Sequence, residues 1–313
     1  MGKLHTAFSL LTSGSLPHFR RRLRINIRGR CLRRAAGHPF AYRLAGFPFV
    51  CVPGISDSEE IFLTGDFDRM EFAILRDWLA PGDAFIDVGT NLGLYTFCAH
   101  HHLRGSGTFL AIEASPELAR NLATSARLLG VRNVIIEQTA AGDETKDAVF
   151  YIAPPGKSTG EQSLHPDPVR SADYVPHCVR MLPLVEIVGR HPATARPAAV
   201  KLDIEGAEPL ALRGAPAEWF TSSGPLWIVE INPTALARAG SSCAAIVGRF
   251  PTEDFTCWLA PHFSMAGQRN LPVRTLAAGE TFTDAWFYNL IAAPRAQAFS
   301  ARAQRIARHL SAA

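Results

Sequence analysis

Asp87, Gly89, Gly93 and Glu113 stand in an order that can hold a charged nucleoside. The run Phe85-Ile86-Asp87-Val88-Gly89-Thr90-Asn91-Leu92-Gly93-Leu94-Tyr95-Thr96 reads as an apolar strand ending in an acid, two glycines, and a helix. Glycine there lets the backbone turn tightly and approach a ligand closely. Glu113 closes the next apolar strand, 24 residues after Gly89. An acid at that point can accept both ribose hydroxyls of a nucleoside. Two cofactor types compete for the pattern. A dinucleotide site uses GxGxxG, with the helix N-terminus facing a pyrophosphate. Here the spacing is Gly89-x-x-x-Gly93, and Asp87 would repel a pyrophosphate. Asp87 would suit the ammonium end of a methionine moiety, so the pattern favours S-adenosylmethionine. A glycine turn with no ligand is the plain alternative.

A second group of acids follows in Ala199-Val200-Lys201-Leu202-Asp203-Ile204-Glu205-Gly206-Ala207-Glu208. Strand residues alternate faces, so Lys201 and Asp203 share one side. Asp203 would end its strand beside the ligand crevice, and Lys201 could pair with it as a purely structural partner. Glu205 and Glu208 lie three apart at a helix entrance, where acids also stabilise the positive end of the dipole. If the reaction deprotonates a hydroxyl, a carboxylate or histidine must sit near it. Asp203 is the first candidate for that base and Glu205 the second, ahead of His165 and His177. Asp203, Glu230 and Asn232 could offer oxygen ligands to Mg²⁺, but nothing in their spacing demands a metal, and none is expected.

The elements that must position these residues alternate. Strands are expected at 84–88, 108–112, 131–137, 198–204 and 226–231, with helices at 59–79, 92–103, 116–129, 183–190, 206–213 and 233–249. Ser115-Pro116-Glu117 is a strong helix start, and Gly130 a good stop. This rhythm implies an α/β fold: a doubly wound sheet, mostly parallel. Strand-like runs at 255–260 and 285–292 could add an antiparallel C-terminal edge. Residues 139–182 break the rhythm. Strands are expected at 148–152 and 178–182, around a Pro-, Gly- and Ser-rich insert at 153–177 long enough to be a lid or acceptor wall.

The 313 residues carry a net charge of +4, unevenly spread. Lys3 and nine arginines from Arg20 to Arg43 precede Asp57, the first acid, so the front is +10 and the remainder −6. Such a basic arm could touch phosphate, anionic lipid or an acidic glycan, serve as a transit peptide, or be a solvated helical face. Six cysteines without a CxxC pair exclude a zinc ribbon and argue against a disulfide scaffold. They read as reduced, mostly buried thiols in a cytoplasmic protein. The uncharged stretch Leu4–Phe19, unsurpassed in length in the chain, is too short and too polar for a membrane span.

The two motif stretches resemble the signature blocks of the FkbM-type S-adenosylmethionine-dependent methyltransferases. The surroundings match as well: Glu113-Ala114-Ser115-Pro116, Ala141-Gly142-Asp143, Gln162-Ser163-Leu164 and Tyr288-Asn289-Leu290. The likeness covers roughly residues 47–293, with Thr90 where the family more often has Ala or Ser. It implies a class I methyltransferase fold with a Rossmann-like sheet. It also implies O-methylation of a hydroxyl on a sugar, polysaccharide or natural product. The implied cofactor residues are Asp87, Gly89, Asn91, Gly93, Glu113, Ala114 and Gly142. The expected layout is a basic arm at 1–46, partly helical or disordered, a methyltransferase domain at 47–293, and a helical tail at 294–313. A nucleic-acid methyltransferase using the arm is one alternative, although no Asn-Pro-Pro-aromatic motif follows the fourth strand. A non-catalytic binding protein is another, and the intact acid-and-glycine pattern argues against it.

Overall fold

The computed structural model describes residues 16–65, 67–261, 272–277, 280 and 287–311. Lys3 and the rest of the arm through Ser15 lie outside them, as do positions 285 and 286 of the last strand-like run.

Helix α1 covers Leu16–Arg34. The hairpin of β1 (Phe40–Leu44) and β2 (Phe47–Cys51) follows, straddling position 46/47. Two helices, α2 (Ser56–Thr64) and α3 (Arg69–Trp78), replace the single one expected over 59–79. Gly65 divides them: at φ 70° it closes α2, its amide donating to the Ile61 carbonyl. Then β3 (Ala84–Val88), α4 (Leu94–His102), β4 (Thr108–Ile112), α5 (Pro116–Leu128) and β5 (Val134–Glu137) alternate as expected. Ser115 caps α5 by accepting from the Leu118 amide.

The strands β6 (Ala140–Gly142), β7 (Lys146–Ile152) and β8 (Val175–Pro183) form their own sheet in the order β6-β8-β7. The insert is the long loop between β7 and β8. The alternation resumes with α6 (Leu184–Gly189), β9 (Ala199–Leu202), α7 (Glu208–Arg213) and β10 (Leu226–Ile231). The helix expected over 233–249 is two short ones, α8 (Pro233–Arg238) and α9 (Cys243–Val247), parted by Gly240 at φ 67°. The strands β11 (Phe255–Pro261), β12 (Arg274–Thr275) and β13 (Tyr288–Pro294) and helix α10 (Ser300–Ser311) complete the described chain.

The main sheet has the order β12-β11-β13-β10-β9-β3-β4-β5. Its five central and distal strands from β10 to β5 are parallel. Two strands of the C-terminal part are reversed: β13, inserted between β10 and β11 and antiparallel to both, and β12, antiparallel to β11. Successive βα units run outward from β3 in one direction and from β9 in the other. The switch point therefore falls between β3 and β9, where a ligand crevice opens beyond the strand tips.

The pleat assigns the side chains. Ile86 and Val88 face a core with Leu184, Ile187 and Leu212. Phe85 faces the opposite core with Trp78, Phe97 and Ile306. Trp78 is fully buried, and its indole donates to the Ala198 carbonyl at 2.8 Å, fixing α3 beside the start of β9. Truncating it to Ala would cost about 3–5 kcal/mol. Among the described residues, no helix is long and apolar enough to cross a membrane. All six cysteines are free; Cys51, Cys243 and Cys257 are buried, whereas Cys31 and Cys178 are exposed.

Candidate active site

The tips of β3 and β9 meet backbone to backbone. Gly89 has φ 81°, and a Cβ added there would lie 1.8 Å from the Asp203 carbonyl oxygen. Only glycine allows both the turn and the contact. Gly93, itself at φ 84°, and Gly142 are also places where a side chain would not fit. A Cβ on Gly93 would meet the Phe97 ring at 2.5 Å, and one on Gly142 the Met181 sulfur at 2.4 Å.

A cavity opens at this switch point. Gly89, Asn91, Glu113, Ala114, Asp203 and Glu205 line it, together with Gln162 and Thr159 from the insert. Apolar wall comes from Leu118, Phe150 and Leu164. Asp87, Gly93 and Gly142 lie outside this wall. So do His165 and His177, the weaker base candidates.

Glu113 is buried, and its two oxygens each accept one amide, from Asn91 and Ser115, both at 2.8 Å. An ionised carboxylate offers about four lone-pair sites. Its oxygens therefore keep acceptor capacity beyond these two amides. Burial pushes the Glu113 carboxyl up to about 7, against the pull of these amides. Asn91 itself sits at φ 48°.

Asp87 faces the α4 side of the sheet, as the pleat requires, since it shares that side with Phe85. Its Oδ2 accepts from the Thr96 hydroxyl at 2.7 Å and the Thr96 amide at 3.1 Å. It is also the register partner of Lys201 on β9. Burial pushes its carboxyl up to about 6, opposed by Thr96 and Lys201.

Lys201 is buried, with its ammonium 3.0 Å from Asp203 Oδ2 and 5.2 Å from the centre of the Tyr95 ring. Burial alone would lower its pKa; Asp203, Glu230 and Asp68 overcome that and raise it. The Tyr95 hydroxyl in turn donates to Asp68 at 2.8 Å.

Glu205 occupies φ 54°, a left-handed conformation that a non-glycine residue holds only at a cost of about 1–3 kcal/mol. Its Oε2 accepts from the Asn232 side chain at 3.3 Å. Burial, then the charges of Asp203 and Glu208, raise its pKa well above the ordinary carboxylate range. The oxygens of Asp203, Glu208 and Glu230 converge within 4.8 Å. Glu208 is already engaged by the Ile204 and Gly206 amides, and Asp203 by Lys201. Asn232, the third oxygen donor suggested by the sequence, instead caps α8 by accepting from the Ala235 amide.

The insert is pinned over the cavity by a residue from far upstream. Asp57 Oδ2 accepts from the Thr159 amide at 2.6 Å, the Thr159 hydroxyl at 2.8 Å and the Gly160 amide at 2.9 Å. Ser56 donates to the Lys157 carbonyl at 2.7 Å, and the Thr159 hydroxyl oxygen also stands 2.9 Å from the Asn91 side-chain amide. Beyond this tether, Gln162 is buried and its Oε1 has no hydrogen-bond partner among the described residues. Neither Asp57 nor Thr159 was legible as a site residue: they lie 102 positions apart, and neither carries a motif. Gln162 carried only the resemblance.

A family model for the methyltransferase FkbM domain matches residues 87–255, more than half of the chain. The chain belongs to the FkbM methyltransferase family. Its doubly wound sheet, with the cavity at the switch point, is the class I methyltransferase arrangement. A protein described as Methyltransferase 1 from Beauveria bassiana (strain ARSEF 2860) is 28% identical over 170 residues, covering 50% of this chain and 65% of that one. A solved structure of methyltransferase FkbM from Methylobacillus flagellatus KT covers 75% of this chain and 52% of its own, at 16% identity and TM-score 0.42, so this chain spans less than two thirds of either relative. An S-adenosylmethionine-dependent O-methyltransferase from Thermotoga maritima covers 81% and 77%, at 12% identity and TM-score 0.36. The matched block begins at Asp87, so α1, β1, β2, α2 and α3 lie upstream of it.

Proposed function

We propose that this methyltransferase moves a methyl group from S-adenosylmethionine to a hydroxyl of a sugar, polysaccharide or natural product. The observation that carries the reading is one cavity lined by Glu113 together with Asp203 and Glu205. The donor set suits that cofactor. Glu113 keeps acceptor capacity for ribose hydroxyls, and Ala114, Leu118, Phe150 and Leu164 supply apolar contact for a purine. The orphaned Gln162 oxygen is an acceptor for an exocyclic amine. Gly89 and Asn91 form the floor. When bound, the cofactor supplies an electrophilic methyl group on a sulfonium.

The chain's own residues then position the acceptor and move a proton. Glu205, on the cavity wall, takes the proton from the acceptor hydroxyl as it attacks. Asp203, paired with Lys201, orients the acceptor and keeps the rim polar. Asp87 and Gly93 act from behind the wall, tying the β3 turn to α4. Gly142 keeps β6 close to β8. The insert closes the cavity and would exclude water from the reaction.

The test is titration with S-adenosylhomocysteine, followed by turnover with labelled S-adenosylmethionine on a panel of glycans and hydroxylated natural products. The expected product is a base-stable methyl ether. A base-labile methyl ester, an N-methyl product, or no binding of S-adenosylhomocysteine would overturn the proposal.

A further inference from the structure

We propose that helix α1 is a docking surface for an anionic lipid bilayer. One side of α1 lies against α2. Arg28 donates from Nη1 to the Phe62 carbonyl at 2.6 Å, and its guanidinium stands 5.5 Å from the centre of the Phe62 ring. The side chains away from that contact form a stripe at helical spacing. Leu23 is 48% exposed, Ile27 is 52% exposed, and Cys31 is also exposed. Residues four apart stack on one face. Arg24, Arg30 and Arg34 are exposed beside the stripe, and α1 has no acid.

Leu23 and Ile27 bring two large aliphatic side chains together on one exposed face, among arginines. A bilayer surface uses both parts. The aliphatic stripe enters the boundary between headgroups and acyl chains, while long arginine stems let the guanidinium groups reach lipid phosphates. The charge matches as well: the segment up to residue 56 is +10, whereas the remainder of the chain is −6. Attraction to an anionic leaflet would therefore present α1 first and hold the acidic body away. RNA fits this face less well. Leu23 and Ile27 gain nothing from phosphate, and the segment from Leu23 to Arg34 has no aromatic side chain on which a base could stack.

The test is sedimentation of the full chain with phosphatidylcholine vesicles containing about one-third phosphatidylserine, against pure phosphatidylcholine. Binding to the anionic vesicles is expected, at least about tenfold stronger than to neutral ones and lost at about 0.5 M salt. The double variant Leu23→Asn/Ile27→Asn removes the stripe at constant charge, and should weaken binding about tenfold with melting and S-adenosylhomocysteine affinity unchanged. A second pair, Arg30→Gln/Arg34→Gln, should weaken binding without touching the stripe. Equal retention on both vesicle types would overturn the proposal. So would wild-type binding by both double variants, RNA binding with no vesicle binding, or a vesicle-independent dimer that the Asn pair abolishes.

Discussion

Asp87 and Lys201 are register partners on adjacent parallel strands, and both side chains lie on the α4 side of the sheet. The acid that reads from sequence as a clasp for a ligand ammonium is addressed by a lysine of the same chain. Lys201 also faces Asp203, Glu230 and Asp68, so one buried cation serves several carboxylates. Lys201→Met should leave these acids uncompensated and destabilise the fold by about 3–5 kcal/mol. Chemical denaturation measures it; a loss below about 1 kcal/mol would show that the acids simply protonate.

Glu205 combines a left-handed backbone with a raised pKa at the cavity wall. Glu205→Gln should lower kcat by about 10²–10⁴-fold while the affinity for S-adenosylhomocysteine changes little. Asp203→Asn should raise KM for the acceptor more than it lowers kcat. Steady-state kinetics of the two variants side by side separates the roles, and the reverse ranking would exchange them.

The Glu113 carboxyl, raised to about 7, links pH to both stability and binding. Its folded pKa exceeds the ordinary value of 4.5, so the folded chain holds the proton more tightly than the unfolded one. Its contribution to stability is therefore full below about 4.5 and is lost as pH rises through about 7. Ligand hydroxyls need the ionised form. Affinity for S-adenosylhomocysteine should then rise between about pH 6 and 8, with a proton released on binding near neutrality. Calorimetry in buffers of different ionisation enthalpy detects that proton, and Glu113→Gln should abolish its release.

Asp57 gathers three donors of Thr159 and Gly160 on one oxygen. Asp57→Ala should release the insert, weaken S-adenosylhomocysteine binding about tenfold, and expose residues 153–177 to protease. The melting temperature should move little, because the main cores do not include this contact. Limited proteolysis with and without ligand reads it, and an equally resistant insert would remove the tether from the account.

What the sequence made legible was local. The β3 turn, the Ser115 cap and the placement of Asp203 and Glu205 past the β9 tip follow from short patterns in which each residue's neighbours decide its conformation. The two divided helices were not legible, because Gly65 and Gly240 only stop a helix when the chain on either side must turn to stay on the core. Nor was β6, whose Ala140-Ala141-Gly142 carries no alternation. The Asp87–Lys201 pairing depends on strand register, and the Asp57 tether on a loop folding back across the molecule. No window of sequence contains either contact.

The upstream position of Asp57 bears on how the enzyme can be divided. The block recognised by family runs from residue 87 to residue 255, and the acid that fastens the cavity's outer wall stands thirty positions before it begins. A fragment trimmed to that block would keep both strand tips yet lose the clamp on its own roof. Transplanting the recognised block alone into another protein would thus carry over the strand tips of the cavity without the acid that holds its insert in place.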